Sequence, residues 1–506
     1  MTLVGNRTVR SVPPPRLWTG MVLWLCTART GRNLVASLIR TAKWSETDHP
    51  LPPRCHEAVA PPRGLTTALV GFCGGLTGDE GRLGFVGMKK FAVVLSLISL
   101  VLNVSASTQP SLKVKKLGVS FPQRDPTQPV YEFVSYAGNR GSDMFRIRFE
   151  ELKDDIFSNF ELGISSDHGR SWSDVERWKA APPGPDGRLR RLFLYGSFLD
   201  PKNGRLVLMG NEGMLRNDHP LDGQTHYYPI YRVSKDGGRN WLFEERVIQS
   251  GKAYTKDHPF QGVRVGSNSL WVSNSLTSRA DGAVIVPVQI SHTGPDGKLF
   301  RPPGAYTYLD AAVLIGKWRD DDRLTWQLSR RLNLPPEKSL RGIFEPTVME
   351  MPDGRMLMVC RTNSGRKWFS ISRNGGLSWA KPDVWRYTDG TLFFSPSSIS
   401  RLVRHSTGTC FWIGNISPAH PHGNAPRYPL VIGQVDPKSL QLIRKSVTTI
   451  DSRGPNDPAG LQLSNFHVHE DRQTGNLIVR VTRWDGKPSG KGPVSGSVHA
   501  FAVELQ

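Results

Sequence analysis

Three short segments repeat one pattern: SSDHGRSW at 165–172, SKDGGRNW at 234–241 and SRNGGLSW at 372–379. Each follows an apolar or aromatic run, and each fits Ser-x-Asp/Asn-x-Gly-x-x-Trp. The interval from Trp241 to Trp379 is twice that from Trp172 to Trp241. A degenerate copy, RDDDRLTW at 319–326, falls inside the long interval with Asp321 and Trp326 in register and no glycine. The chemistry is that of a hairpin turn: Asp or Asn accepts backbone N–H bonds, Gly takes positive φ, and Trp packs on the adjoining sheet. Short strands repeated around such turns imply a radial or stacked β architecture. Gly and Pro punctuate the whole chain and no long 3.6-residue periodicity appears, so neither helices nor a second domain are expected.

The N-terminal part reads differently. Residues 88–106, MKKFAVVLSLISLVLNVSA, combine a basic start, an apolar stretch and small residues at a cleavage position. This is the form of a secretory signal peptide; its apolar core is short for a span of roughly 20 residues. Residues 1–87 are rich in Arg, Pro and Gly without periodicity, and are expected to lie outside the mature protein through a start assigned too early, the alternative being a genuine extension. They hold ten Lys or Arg against five Asp or Glu, and the leader adds two lysines, so residues 107–506 carry +14 of the total +21. That balance favours anionic partners. No nucleic-acid-binding module accompanies it. Cys360 and Cys410 alone remain beyond the leader, which permits one bridge and offers no zinc-type spacing. A secreted or periplasmic location is expected, with no stable membrane insertion after cleavage and no cofactor or metal.

FEPTVMEMPDGRMLMVCR, residues 344–361, places a Pro-Asp-Gly-Arg turn between two apolar runs. Counting outward from the turn, Glu345 and Arg361 fall at the same open end of a hairpin, opposite or one position off register. Cross-strand neighbours have Cβ atoms about 5 Å apart, so the hairpin sets a carboxylate beside a guanidinium. Taken alone, the pair is equally an ion pair closing a sheet end.

The repeats resemble the Asp-boxes of the sialidase (neuraminidase) superfamily, and the resemblance covers most of residues 121–506. It implies an all-β six-bladed propeller of four-stranded antiparallel blades, near 121–180, 188–248, 265–335, 340–388, 392–450 and 460–505, with the two ends closing the ring. It implies that Asp167 and Asp236 are structural and lie away from the catalytic face. It also gives the hairpin a role. EPTVMEMPDGRMLMVCR is similar to the superfamily's Glu-Pro-x-Val…Asp-Gly-Arg…Arg motif, in which the glutamate polarises a tyrosine nucleophile and the arginine grips the substrate carboxylate. A neutral tyrosine suits a carboxylated sugar, which would repel a carboxylate nucleophile, and sialidases are glycosidases of that type. Tyr needs a base because its free pKa is about 10, and the planar guanidinium binds carboxylate bidentately.

By the same resemblance, PRYPLVIGQVD (426–436) nominates Arg427 as a second carboxylate-binding arginine, with Arg401 as competitor. Arg124, in QRDPTQP, is the nominee for the third, with Arg146 and Arg148 as alternatives. The acid/base carboxyl is expected at Asp155, beside Asp154, in the loop before the first Asp-box; it must hold a proton for the leaving group and then recover it from water. One departure is large. Leu463, in LQLSNFHVHE, stands where the superfamily has its tyrosine, with Asn465 at the next candidate position. Tyr428 and the cluster Tyr227, Tyr228 and Tyr231 are the alternative phenols; His467 and His469 alternate onto one face of a strand. Asp218, His219, Asp257 and His258 are minor acid/base candidates. The expected function is a secreted glycoside hydrolase removing a terminal acidic sugar, sialic acid or a related carboxylated residue. The alternatives are a propeller that binds anionic glycan without cleaving it, or a polysaccharide lyase on the same fold.

Overall fold

Alternating apolar and polar side chains, broken by Gly- and Asp-centred turns, fold the described residues into six antiparallel sheets of four or five strands, with one further short pair, Leu461–Gln462 beside Trp484–Asp485. The computed structural model describes residues 111–506 apart from 140, 154, 218, 220–221, 274 and 486–495. The expectations for residues 1–87, for the leader at 88–106 and for Asp154 and Asp218 fall outside the described residues. Among the described residues no helix is long and apolar enough to cross a membrane.

Each sheet is a blade. Blade 1 consists of Val130–Tyr136, Met144–Lys153, Ile156–Ser165 and Ser173–Trp178; blade 2 of Leu189–Leu199, Leu206–Leu215, Tyr227–Ser234 and Glu244–Arg246. Blade 3 runs through Leu270–Val272, Val284–Ser291, Leu309–Trp318 and Leu324–Leu328, with Thr277–Ser278 also pairing to its second strand. Blade 4 is Phe344–Glu350, Met356–Arg361, Trp368–Ser372 and Asp383–Val384, and blade 5 is Arg401–Arg404, Cys410–Asn415, Leu430–Gln434 and Thr448–Asp451. Blade 6 takes Phe466–Glu470, Leu477–Thr482 and Val498–Leu505 from the C-terminus and its outer strand, Leu112–Phe121, from the other end of the described chain. That pairing runs from Leu112 opposite Leu505 to Phe121 opposite Val498 and closes the ring. The architecture is the six-bladed propeller expected.

Blades bury both faces against their neighbours, which is why Met356–Arg361 is buried at every position. Val313 and Ile315 of blade 3 pack with Val348, Met356 and Met358 of blade 4. Cys360 and Cys410 are buried free thiols in adjacent blades, so the one bridge that composition permits is not formed.

The three repeats form the same turn after the third strand of blades 1, 2 and 4. In the first, Ser165 Oγ donates to Asp167 Oδ1 (2.7 Å) and accepts from the Gly169 N–H (2.9 Å), while the Ser171 N–H donates to Asp167 Oδ1 (2.9 Å). Ser234, Asp236, Gly238 and Asn240 reproduce these bonds, as do Ser372, Asn374, Gly376 and Ser378. In the degenerate copy of blade 3, Asp322 takes the positive φ (63°) and is held by Arg205 and Lys235. Hydrogen bonds from Ser171 and Ser165 hold the Asp167 carboxyl well below the usual range, as a structural acceptor.

Two glycines separate backbone strain from packing. Gly238 has φ +92°, and a Cβ there would meet the Phe145 ring at 2.7 Å; Gly354, in the hairpin of blade 4, has φ +80° with open space around it. Gly354→Ala is expected to cost only the left-handed backbone penalty, about 1–2 kcal/mol. Gly238→Ala adds overpacking of about 1–3 kcal/mol. Chemical denaturation of the two variants checks the order.

Candidate active site

The turns after the third strands lie on one face of the ring. The cavity opens on the other, where first strands begin and second strands end. Tyr131, Phe149, Asp155 and Phe157 of blade 1 all line it there, and so do Glu345 and Arg361 of blade 4. Its volume is about 340 Å³. Asp167 and Asp236 are not among its lining residues.

Glu345 reaches the cavity because blade 4 carries a bulge. Phe344 pairs with Arg361 and the next pair is Thr347 with Val359, so two residues on the first strand face Cys360 alone. Glu345 takes φ 41°, a left-handed conformation that is uncommon for a non-glycine residue, and its N–H donates to Gln289 Oε1 of blade 3 (3.2 Å). Backbone outliers of this kind cost about 1–3 kcal/mol and cluster at functional sites. The hairpin thus delivers the pair one position off register: Arg361 Nη1 donates to Glu345 Oε2 at 2.6 Å.

Arg361 is fixed at its other nitrogens by Ser397 Oγ (3.0 Å) and Asn424 Oδ1 (3.2 Å). Arg427 also lines the cavity and donates to the carbonyls of Asn424 (3.1 Å) and Ser397 (3.2 Å), to Gln462 Oε1 (2.7 Å) and to Ser464 Oγ (3.2 Å). A third guanidinium comes from Arg341, whose Nε donates to Thr307 Oγ1 (2.8 Å) and whose plane lies 4.1 Å from the Tyr306 ring and 4.6 Å from that of Phe344. Burial, then the Arg361 charge, brings Arg341 and Arg427 each down to about 10. Burial pushes the Glu345 carboxyl up, but Arg361, Arg341 and Arg427 together outweigh it and leave the group below its ordinary value.

Asp155 is solvent-accessible on the cavity wall at φ 60°, and its N–H donates to Glu151 Oε1 (3.1 Å). Its pKa is raised, first by the surrounding protein and then by the Glu345 charge, against the pull of Arg361, Arg427 and Arg341. Glu151 also accepts a hydrogen bond from Tyr131 Oη through its other oxygen, and Asn465 Nδ2 donates to the same phenol oxygen (3.3 Å). Burial, then the Glu151 charge, raises the Tyr131 pKa well above its ordinary value. One part of the remaining wall is aromatic: Phe157 stacks on Phe193 at 4.2 Å and Phe193 on Tyr195 at 4.1 Å, with Trp271 beyond.

Four of the five residues nominated for the site therefore meet in one cavity: Glu345, Arg361, Arg427 and Asp155. Arg124 does not join them. It makes a two-pronged ion pair with Glu161 (2.9 and 3.1 Å) and stacks on Phe121, so its charge is already neutralised. Arg146 and Arg148 are likewise bound to Asp174 and Glu132. Leu463 is buried in the core between blades 5 and 6, its N–H donating to the Arg427 carbonyl (3.0 Å). Of the alternative phenols Tyr227 lines the cavity, whereas Tyr228 donates to the Thr225 and Asn268 carbonyls and Tyr428 packs on that same core. His467 stacks on Phe133, and burial keeps it and His469 neutral, the latter down to about 3. Neither histidine lines the cavity, nor do His219, Asp257 and His258. Sequence reasoning missed Arg341, Tyr131 and Glu151. Arg341 had one available signal, its place four residues before Glu345 at the mouth of the same hairpin.

Residues 197–448 match the BNR repeat-like domain family. Among solved structures, the chain is similar to a protein of unknown function from Dyadobacter fermentans (12% identity, TM-score 0.50, covering 78% of this chain and 99% of that one). It is similar to a mutant of NanB sialidase from Streptococcus pneumoniae (14% identity, TM-score 0.50, covering 78% of this chain and 71% of that one). Its fold is that of the sialidase-like superfamily. No curated protein matches the chain in sequence.

The Glu345–Arg361 pair makes a pH-resolved prediction. A carboxyl whose folded pKa is depressed contributes stability above its unfolded value, and that contribution is lost as pH falls through the folded value. Glu345→Gln should therefore destabilise at pH 7 by about 2 kcal/mol, less than the 3–5 of a fully enclosed pair because the Glu345 side chain is 25% exposed. The difference should shrink once pH drops below the ordinary carboxyl value of 4.5. Urea titrations of parent and variant at neutral and acid pH measure both.

Proposed function

We propose that this protein is a glycoside hydrolase that removes a terminal carboxylated sugar, of the sialic-acid class, from glycans. One observation carries the reading. Arginines outside the cavity such as Arg124, Arg148, Arg232 and Arg483 are paired with acids, whereas Arg341 and Arg427 are held by neutral oxygens, and with Arg361 they face two carboxyls, Asp155 and the Glu345 that Arg361 binds. The cluster keeps an excess of positive charge directed at the cavity, which suits bidentate capture of a carboxylate. NanB sialidase has been solved in complex with 2-[(3-chlorobenzyl)ammonio]ethanesulfonate, a zwitterion that carries a sulfonate.

In this reading Asp155 is the general acid. Its raised pKa keeps it protonated to higher pH than a free aspartate, so it can protonate the departing glycosidic oxygen. Tyr131 is the phenol available as nucleophile, and Glu151, already accepting its proton, is the base beside it. Attack of Tyr131 Oη on the anomeric carbon breaks the glycosidic bond, Glu151 takes the phenolic proton, and Asp155 gives its proton to the leaving oxygen. Water then displaces the phenol, losing its proton to Asp155 while Glu151 returns its own to Tyr131. Glu345 orients Arg361 and offsets part of the cationic charge. Leu463 favours a second reading, a propeller that binds anionic glycan and cleaves nothing. The leader-like segment 88–106 supports action outside the cytoplasm.

Hydrolysis of a fluorogenic sialoside tests the proposal. Turnover by the parent should be lost in Tyr131→Phe and fall about 10²–10⁴-fold in Asp155→Asn for substrates with a poor leaving group. Arg361→Ala should act mainly on KM. Glycan binding that depends on Arg361 without turnover would establish the binding reading instead, and an unsaturated product would indicate lyase chemistry.

A further inference from the structure

Lys367, the residue before the third strand of blade 4, is 1% exposed, and its Nζ donates to the Ser398 carbonyl. The turn it holds is the bracket between two of the cavity's three guanidiniums, those of Arg361 and Arg427. Ser397 Oγ receives Arg361 Nε, the Ser397 carbonyl receives Arg427 Nη2, and the Ser397 N–H donates to the Gly423 carbonyl beside Asn424 (2.8 Å). A buried ammonium behind two guanidiniums is unfavourable, and an apolar side chain of the same length would fill the space without that penalty. The groups that face it are Arg361 and the Cys360 thiol from the second strand, Glu345 from the first, and Arg427 from the loop between the second and third strands of blade 5. Burial, then Arg361, brings the amine down to about 7, so its charge changes close to neutrality.

We propose that Lys367 is a positioning residue for anion capture: its ammonium holds the Ser397–Ser398 turn that spaces Arg361 and Arg427, and its charge behind them makes the cavity grip a carboxylated ligand more tightly in acid than in alkali. This rests on the carboxylate-binding reading above. Linkage is reciprocal, so an anion seated on the arginines favours the protonated amine by the same factor. Each site stabilises the charge on the other.

Calorimetric titration with free sialic acid on either side of pH 7 tests it, using the parent, Lys367→Met and Arg361→Ala. The parent should bind about tenfold more tightly on the acid side. Lys367→Met, which keeps the volume and removes the buried charge, should melt higher, bind more weakly and lose the pH step. A purely structural lysine would change the melting temperature and leave the step in place, and that result overturns the proposal. If Lys367→Met does not fold, the parent profile still decides, because Arg361-dependent binding with no step near neutrality overturns this inference alone. A parent that binds sialic acid at neither pH overturns it together with the function proposed above.

Discussion

Closure of the ring is the constraint on which everything else depends. The outer strand Leu112–Phe121 pairs with Val498–Leu505, and only then do six first strands converge on one axis. The cavity collects Tyr131 and Asp155 from blade 1, Ser291 from blade 3, Glu345 and Arg361 from blade 4, Arg427 from blade 5 and Asn465 from the entry to blade 6. No single blade contains a site. Each contributes side chains from its strands or the loops that join them, and the ring supplies their geometry. The serine–aspartate turns on the opposite face fix where each third strand ends without taking part in the cavity.

Convergence creates an electrostatic difficulty that the local chemistry answers. Three guanidiniums around the carboxyls of Glu345 and Asp155 still repel one another, and burial lowers the pKa of Arg341 and Arg427 together with that repulsion. Phe344 lies between Arg341 and Arg361, 4.6 and 4.9 Å from their guanidinium carbons, and offers its electron-rich faces to both. Asn424 bridges Arg361 and Arg427 with its side-chain and main-chain oxygens, and Ser397 does the same. These acceptors satisfy the N–H groups without cancelling the charge. Outside the cavity, Arg148 of blade 1 and Arg480 of blade 6 both bind the Glu132 carboxylate directly.

What the sequence made legible follows from locality. The Asp-box turns, the hairpin from Glu345 to Arg361, the Asp155 loop and Arg427 each sit inside one short segment whose pattern has a physical cause. Closure by Leu112–Phe121 and the neutralisation of Arg124 by Glu161 join residues far apart along the chain, and no local pattern encodes them. Tyr131 is hidden for a related reason. In VYEFVSY it reads as one more strand aromatic, and only the fold shows that it stands at the cavity end of an inner strand beside Glu151. Arg341 was nearer to hand, since its contact with Phe344 lies within the same hairpin mouth.

Leu463 shows why a missing motif residue does not decide a propeller's chemistry. Inner strands are equivalent around the axis, so a phenol at the tip of blade 1 and one at the entry to blade 6 approach the same space from adjacent blades. In this chain Leu463 turns into the core, and Asn465, two residues on, donates its amide to the oxygen of Tyr131. The entry to blade 6 therefore still touches the phenol without supplying it. Glu151 joins that phenol to the Asp155 loop, accepting from Tyr131 through one oxygen and from the Asp155 N–H through the other. A change in any one of these three positions is transmitted to the other two, so on the proposed reading the nucleophile, its base and the general acid are held as a single unit of blade 1. The arginines of blades 4 and 5 remain free to set what that unit acts upon.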